Sequence, residues 1–396
     1  MKVLILHNDL RAYWKRRIIY LHNFLSSKGI DLHAVELFGK GSPYDFDPFN
    51  KTVHWWDCLF PEQSNIELSK YQISSKVFAK LDELNPDVII AGSIVFYSGA
   101  LGLRWAKRNK KKFIMFDDAK PSWVKRNFLV QGIKNLITRQ IDALWLPSAE
   151  YDREYEKLYS KKKIHYLYGF NCVDNALFKF GEDKKFDHKK IICVGRLVPK
   201  KNIQNLLSAW KFVEDQNDTY SLVILGDGPL MPELRSFAKS NNIGKVEFSG
   251  AVDNDNIPQY LYNADAFISP SLYESWGLVV NEAMAAGLPV LLSDKINAAH
   301  TLLEDGANGY IFDPGDKEEM QRKLIDYINL SETEKKKMSE NSLRIINSMN
   351  YENMGRQLLE ALSRLKTKRY KNPGLPAFVA ISLWYGRYNT FGWDNV

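Results

Sequence analysis

The sequence predicts an α/β protein of two successive domains, each a parallel β-sheet covered by helices on both faces. Three observations carry that expectation: the length of 396 residues, short apolar runs alternating with amphipathic stretches, and one charged break in that alternation near the middle of the chain. The length exceeds the size at which a single hydrophobic core stops growing. Short apolar runs separated by helical patterns are what strands buried on both faces require.

In the first half the apolar runs are 2–8, 31–37, 87–92, 112–118, 143–148 and 164–170. Between the first two, WKRRIIYLHNFLSSKG (14–29) spaces its apolar residues three and four apart, as one face of a helix demands. The first run is followed by its charges and by no small-residue cleavage site, so it reads as a strand and not a secretion signal. Residues 175–190 are polar and charged, with Gly181 among them, and read as a linker. The alternation restarts with 190–197, 220–228, 245–252, 265–271 and 289–294. The expected domains are therefore 1–175 and 176–349. Open sheets of this kind bind ligands beyond the carboxyl ends of their strands, which makes a cleft between the domains the expected site.

Composition excludes several classes. Hydrophobic residues at 45% and charged residues at 26% describe a globular chain, not a disordered one. No stretch reaches 18 apolar residues, so no membrane span is expected. Cys58, Cys172 and Cys193 are scattered and form no CxxC pair, which argues against a disulfide framework or a thiolate zinc site and fits a reducing, cytoplasmic setting. A formal net charge of +7 points to an anionic ligand or surface; nothing singles out nucleic acid. The histidines show no metal-ligand spacing, and no GxGxxG follows the first run, which disfavours a dinucleotide-dependent dehydrogenase.

The second half places chemistry at its strand ends. KIICV (190–194) leads into Gly195-Arg196, and Lys200-Lys201-Asn202 opens the next helical stretch. Gly195 admits a ligand close to the backbone, and a helix start favours an anion through its free N–H groups and dipole. With Arg196 and Lys201 beside it, this turn reads equally as a diphosphate cradle or as a solvated basic turn. The next run ends in Leu225-Gly226-Asp227-Gly228-Pro229, a tight turn that also permits close approach. The fourth ends in SLYESWGLVVNEAMAAGLPVL (271–291), with Glu274 and Glu282 on either side of Trp276-Gly277. On one continuous helix these acids would stand ~12 Å apart along the axis and out of phase. If the helix instead starts at Gly277, Glu274 hangs from the loop and Glu282 lies in the early turns. Helical side chains lean toward their N-terminus, so both carboxylates then face the helix start. Carboxylates bind hydroxyls, and the N–H groups of Gly277 and Leu278 bind phosphate; a ligand offering both is a nucleotide sugar. Taken alone, two such acids fit a helix-start helper and a solvated helix residue better.

The order of the motifs reverses that balance. GRLVPKKN (195–202), LGDGP (225–229), FSGAV (248–252), SPSLYESWGLVVNEAMAAGLPVL (269–291) and EDGANGYIFDPGD (304–316) closely resemble glycosyltransferase family 4 over about residues 190–350. The resemblance implies a GT-B architecture: two Rossmann-like domains facing each other across a cleft, the donor on the second and the acceptor largely on the first. It implies that residues 350–396 return to the first domain. It further implies retention of anomeric configuration, a nucleotide-diphosphate sugar as donor substrate with UDP-sugars first, no cofactor and no metal. Position by position, Arg196 and Lys201 match the family's diphosphate ligands, Glu282 the acid on the ribose, and Glu274 the acid on the transferred sugar. Gly277 and Leu278 match the backbone along the phosphates and sugar, and Val252 a position near the base. Gly195 and Gly226 join the donor-binding set as its close-approach glycines.

Over the first domain the resemblance is loose. Many members carry paired glycines after the first strand, where this chain has His7-Asn8-Asp9-Leu10-Arg11. Many carry a His after a middle strand, where it has Asp117-Asp118. Either Asp is a candidate to accept from a sugar hydroxyl, and either fits a turn cap before Pro121 as well. His7 is a further cleft candidate, although a lone His is more often structural. Asp253-Asn254-Asp255 has the letters of the Asp-x-Asp metal motif of the other major glycosyltransferase fold. Its acids read more simply as helix-start residues.

Two function classes follow. One is a retaining hexosyltransferase acting on a glycan or lipid-linked glycan acceptor, as in polysaccharide biosynthesis. The other is a non-transferring relative: a nucleotide-sugar epimerase or hydrolase of the same fold, or an inactive nucleotide-sugar-binding protein. The presence of both glutamates and both cations disfavours lost activity. Basic segments with aromatic residues, at 11–17, 104–112, 123–128 and 364–371, add an anionic membrane surface as a candidate partner. The expected location is the cytoplasm, with peripheral attachment at the inner face of the membrane. LPAFVAISLWY (375–385) is too short to span a bilayer and fits packing on the first domain.

Overall fold

The computed structural model describes the chain except residues 11–12, 42–52, 122–126, 160–163, 180–185 and 387–396. The chain divides into two compact units: Met1–Phe170 with the segment returning from Tyr351, and Asn171–Asn350.

The first unit is built on β1 (Lys2–His7), β2 (Asp31–Phe38), β3 (Trp56–Phe60), β4 (Val88–Ala91), β5 (Lys112–Phe116), β6 (Ala143–Leu146) and β7 (His165–Tyr168). All pairs are parallel, in the order β3-β2-β1-β4-β5-β6-β7. The central strands are apolar because both faces are covered, and Val3, Leu4, Ile5 and Leu6 are all fully buried. Trp145 fills the core and gives its indole N–H to the Tyr168 carbonyl at 3.1 Å. The helix Tyr13–Ser26 buries Ile18, Leu21 and Leu25, the stripe its periodicity predicts. Strand β3 was not expected. It is an edge strand of five residues with Asp57 inside it, too short and too polar to read as an apolar run. Its Trp56 indole donates to the buried Glu36 carboxylate of β2 at 3.2 Å. The helix Tyr351–Thr367 lies against helix 13–26 and β7.

The second unit is built on β8 (Lys190–Val194), β9 (Ser221–Leu225), β10 (Val246–Gly250), β11 (Ala266–Ser269), β12 (Val290–Ser293) and β13 (Gly309–Phe312). The strands run parallel in the order β10-β9-β8-β11-β12-β13. Its core gathers Trp210, Leu222, Ile224, Ile268 and Tyr327. At the amino ends of the strands, the buried Lys335 ammonium donates to Tyr220 Oη at 3.1 Å and to the Ile328 carbonyl at 2.9 Å. Tyr327 Oη there donates to the Asp265 carbonyl at 2.6 Å. Strand β13, whose four residues open on Gly309 and are followed by Asp313, was also missed. In the stretch read as a linker, Asn175–Phe178 is a short helix packed on the helix Leu278–Ala285. Among the described residues no helix is long and apolar enough to cross a membrane.

Candidate functional site

In the second sheet the strand order turns back between β8 and β11: β8 to β10 proceed one way and β11 to β13 the other. The carboxyl ends at such a reversal leave a crevice for a ligand. A pocket lies there, lined among others by Gly195, Arg196, Lys201, Ser269 and Ser271.

Its floor is backbone. Gly226 follows β9 at φ 138°, and a Cβ on it would stand 2.0 Å from the Gly195 carbonyl oxygen. The two strand ends can meet this closely because Gly226 lacks a side chain. Gly195 N–H donates to the Leu225 carbonyl at 2.9 Å and Gly226 N–H to the Gly250 carbonyl at 2.8 Å, which locks the turn.

Charged groups stand over that floor. A Cβ on Gly195 would meet Nζ of Lys201 at 3.2 Å, so the ammonium lies directly above the glycine. The same Nζ pairs with Glu274 Oε1 at 2.5 Å, and both side chains are largely buried. Ser271 Oγ donates to Glu274 Oε1 at 3.3 Å. Lys200, beside them, is held below the ordinary lysine range by burial and by the like charges of Lys201 and Arg196, against the pull of Glu274. Three cations and one carboxylate therefore share the ends of two adjacent strands. Burial pushes the Cys193 thiol beneath them up to about 12, so it stays protonated.

The loop carrying Glu274 is fixed from two sides. Leu272 N–H donates to the Lys200 carbonyl at 2.8 Å, and Glu274 N–H to the Lys295 carbonyl at 3.2 Å. Asn297 and Ala298 donate in turn to the Glu274 and Trp276 carbonyls at 3.3 and 3.1 Å. Trp276, 2% exposed, gives its indole N–H to Asn281 Oδ1 at 2.9 Å. Gly277 then stands at φ 99° as the N-terminal cap, and Leu278 begins the helix. Non-glycine residues avoid that backbone conformation, which is why the glycine falls between the two acids. Glu282 is the fifth residue of the helix and 5% exposed.

The structure thus brings Gly195, Arg196, Lys201, Glu274 and Gly226 to one place, with Gly277 and Leu278 at the adjoining helix start. Val252 lies two residues beyond β10, at the sheet edge, half-buried. Asp253 precedes the single turn Asn254–Asn256, and both Asp253 and Asp255 are exposed. Among the described residues no group of three His, Cys, Asp or Glu side chains is placed to hold a metal ion. Sequence reasoning gave no role to Lys200 or Ser271. Lys200 was visible only as half of a Lys-Lys pair, and Ser271 carried no signal.

In the first unit the strand ends are filled by rings. His7 stacks on Phe116 with centroids 5.3 Å apart, Trp14 lies 4.8 Å from Phe116, and Phe170 stacks on Trp14 at 6.1 Å. His7 Nδ1 lies 2.6 Å from the Asp9 carbonyl, and burial holds the imidazole below its ordinary value. Asp117 accepts the Ala119 N–H at 3.1 Å, the turn-capping contact, and burial raises its carboxyl to about 6. Asp118 follows it, half-buried.

Comparison with known proteins accords with this geometry. Residues 174–345 match the family model described as glycosyl transferases group 1. The structure of HepE from Anabaena, solved with UDP, superposes with a TM-score of 0.71 at 18% identity, over 92% of this chain and 100% of that one. The chain has the GT-B fold. Sucrose-phosphate synthase from Thermosynechococcus elongatus superposes with a TM-score of 0.70 at 17% identity, over 92% of this chain and 99% of the other. In sequence, the chain is 27% identical to the sulfoquinovosyl transferase SQD2 of Arabidopsis thaliana over 284 residues, 66% of this chain and 53% of that protein. It is 33% identical over 120 residues to a GDP-mannose-dependent phosphatidylinositol monomannoside mannosyltransferase of Mycobacterium tuberculosis, covering 28% of this chain and 31% of the relative. The matches thus span about half or less of these curated relatives.

Proposed function

We propose that the chain is a retaining glycosyltransferase that moves a hexose from a nucleotide-diphosphate sugar to a glycan or lipid-linked glycan hydroxyl, without a metal. The observation that carries this reading is the Lys201–Glu274 pair seated over Gly195, with Arg196 and Lys200 alongside, inside the stretch matched by the group 1 family model. In this reading the diphosphate takes Lys201 and Arg196, together with the N–H groups at Gly277 and Leu278. Glu274, released from Lys201, accepts from hydroxyls of the transferred sugar. Glu282 holds the ribose, Val252 lies near the base, and Gly195 and Gly226 give the donor room. Asp117 and Asp118 are proposed to accept from sugar hydroxyls.

The bond between the anomeric carbon and the diphosphate oxygen loosens toward an oxocarbenium-like state. Negative charge then grows on the diphosphate where the cations are already placed, and such preorganised stabilisation is the largest catalytic contribution in many enzymes. The acceptor oxygen bonds to the anomeric carbon on the face the diphosphate leaves, and its proton passes to the departing phosphate oxygen. No side chain of the site stands out as a covalent nucleophile, and this front-face route is taken in preference to a covalent sugar intermediate. The reaction is placed in the cytoplasm, at the inner face of the membrane where the acceptor is lipid-linked. Uridine nucleotides head the donors to test, since HepE was solved with UDP and UDP-glucose; the GDP-mannose dependence of one relative puts guanosine second.

The test is a panel of nucleotide sugars scored for thermal stabilisation, because a ligand bound only by the folded state raises apparent stability. Nucleotide release is then followed with and without glycan acceptors. Acceptor-dependent release with an α-linked product from an α-linked donor supports the reading. Release without any acceptor, or an epimerised donor, replaces transfer by the non-transferring alternative. Turnover lost on adding EDTA and restored by manganese refutes metal independence and returns attention to Asp253 and Asp255.

A further inference from the structure

Two helices of the first unit turn apolar side chains outward. The helix Phe128–Thr138 buries Ile137 alone and leaves Phe128 and Leu129 79% and 63% exposed. The helix Leu375–Leu383 buries Ala377 and Ile381 and leaves Leu375 and Leu383 76% and 75% exposed. The two helices pack against each other, and the second also packs on the helix Tyr97–Arg108. Of the fourteen large hydrophobic side chains exposed among the described residues, eight lie on these two helices. Scattered singly they would need no explanation, but gathered on adjacent elements they mark a partner.

Charge decides the kind of partner. Residues 97–112, 127–139 and 364–386 carry lysines and arginines and no aspartate or glutamate. Lys368, Arg369 and Lys371 precede the apolar helix 375–383. At its other end Lys134 lies over the Trp384 ring at 5.9 Å and Lys70 over the Tyr385 ring at 5.3 Å. Tryptophan and tyrosine flanked by cations beside an uncharged helix suit the headgroup zone of an anionic bilayer. The core of a protein–protein interface is instead depleted of lysine. Nine residues do not cross a bilayer, so the helix would lie in the plane of the interface. Its inner side is firmly held: Arg104, 3% exposed, donates from Nε to the Ile381 carbonyl at 3.2 Å and from Nη2 to the Ser382 and Trp384 carbonyls.

We propose that helices 128–138 and 375–383 together form a docking surface for an anionic lipid membrane, inserting their exposed apolar residues while the surrounding cations meet the headgroups. This deepens the reading of a lipid-linked acceptor, yet binding itself requires no sugar donor. Segment 123–128, one of the basic stretches singled out in the sequence, lies outside the described residues up to Arg126.

The test is sedimentation of the full chain with vesicles of phosphatidylcholine alone and of phosphatidylcholine mixed with phosphatidylglycerol, across a salt series. The expected result is binding to the mixed vesicles at low salt, release as salt rises, and little binding to the neutral ones. Leu129→Gln and Leu375→Gln, both at exposed positions, should each lower the partition onto mixed vesicles about tenfold with an unchanged melting temperature. Equal, negligible binding to both vesicle types at low salt overturns the proposal, as does an unchanged partition in the double variant. Light scattering that shows a dimer, converted to monomer by the double variant, would assign the surface to a second copy of the chain and also overturn it. Failed vesicle binding with intact transfer discards the surface alone; failed transfer with intact vesicle binding discards the reaction alone.

Discussion

In the second unit the carboxyl ends of β8, β9 and β11 are floored by glycine backbone and ringed by charge, whereas in the first unit the ends of β1 and β5 are plugged by His7, Trp14, Phe116 and Phe170. The same parallel-sheet plan supports both. The difference teaches where function is written: a site made of bare backbone and paired charges restricts residue identity position by position. A plug of rings restricts only size and hydrophobicity.

Replacing the charges should produce the largest effect. Lys201→Ala or Arg196→Ala is expected to lower turnover ~10²–10³-fold, the usual cost of losing one preorganised partner of a developing anion. Turnover within a few-fold of the parent would place the reaction elsewhere. Glu274→Ala should depress turnover more than nucleotide affinity, since its proposed partner is the sugar.

The glycine floor gives the next test. An alanine at Gly226 would set its Cβ 2.0 Å from the Gly195 carbonyl, so the strand ends must separate. Overpacking of this kind costs typically about 1–3 kcal/mol, and denaturant unfolding of Gly226→Ala should show at least that loss together with weakened nucleotide binding. Full stability would mean that the turn is free to open. Glu282→Ala should cost about 1–3 kcal/mol of donor affinity by leaving ribose hydroxyls unpaired, measurable by calorimetry with the free nucleotide. Equal affinities in variant and parent would remove Glu282 from the site.

The smallest expected effect lies in the first unit and depends on pH. The Asp117 carboxyl is raised by burial from 3.8 to about 6. The folded chain therefore binds this proton more tightly than the unfolded chain, and stability falls as pH rises from about 4 through about 6. Asp117→Asn keeps an acceptor for the Ala119 N–H and carries no charge. It should match the parent near pH 4 and be the more stable of the two at pH 8, where the parent has lost the proton its folded state holds. A variant less stable than the parent at pH 8 would show that the charged form of Asp117 is itself stabilising.

What could be read in the sequence follows the same division. The buried strands were legible because two-sided burial forces continuous apolar runs, as in Lys2–His7 and Ser221–Leu225. Strands β3 and β13 escaped because both are edge strands with little apolar run to show, one carrying Asp57 and the other opening on Gly309 and followed by Asp313. The helix start at Gly277 was legible because a positive φ demands glycine there. The straps from Lys295, Asn297 and Ala298 were not, because backbone donors and acceptors leave no trace in side-chain identity. The outward faces of helices 128–138 and 375–383 were hidden for a related reason. An apolar stripe in a sequence is the same whether it faces a core or the outside; 375–383 does pack on the first unit, through Ala377 and Ile381, while its other apolar side chains face outward.

The Arg104 contacts carry a consequence for trimming the chain. A guanidinium is charged at every accessible pH, and this one is enclosed in the first unit with acceptors supplied by the carbonyls of Ile381, Ser382 and Trp384. Cutting the chain after Thr367 would remove those acceptors together with the helix 375–383 and the Tyr385 ring that lie over the guanidinium, and would bare the face of helix 97–108 on which they pack. The C-terminal segment is on this ground a structural part of the first domain, and a shortened form should lose stability mainly through the apolar surface it uncovers.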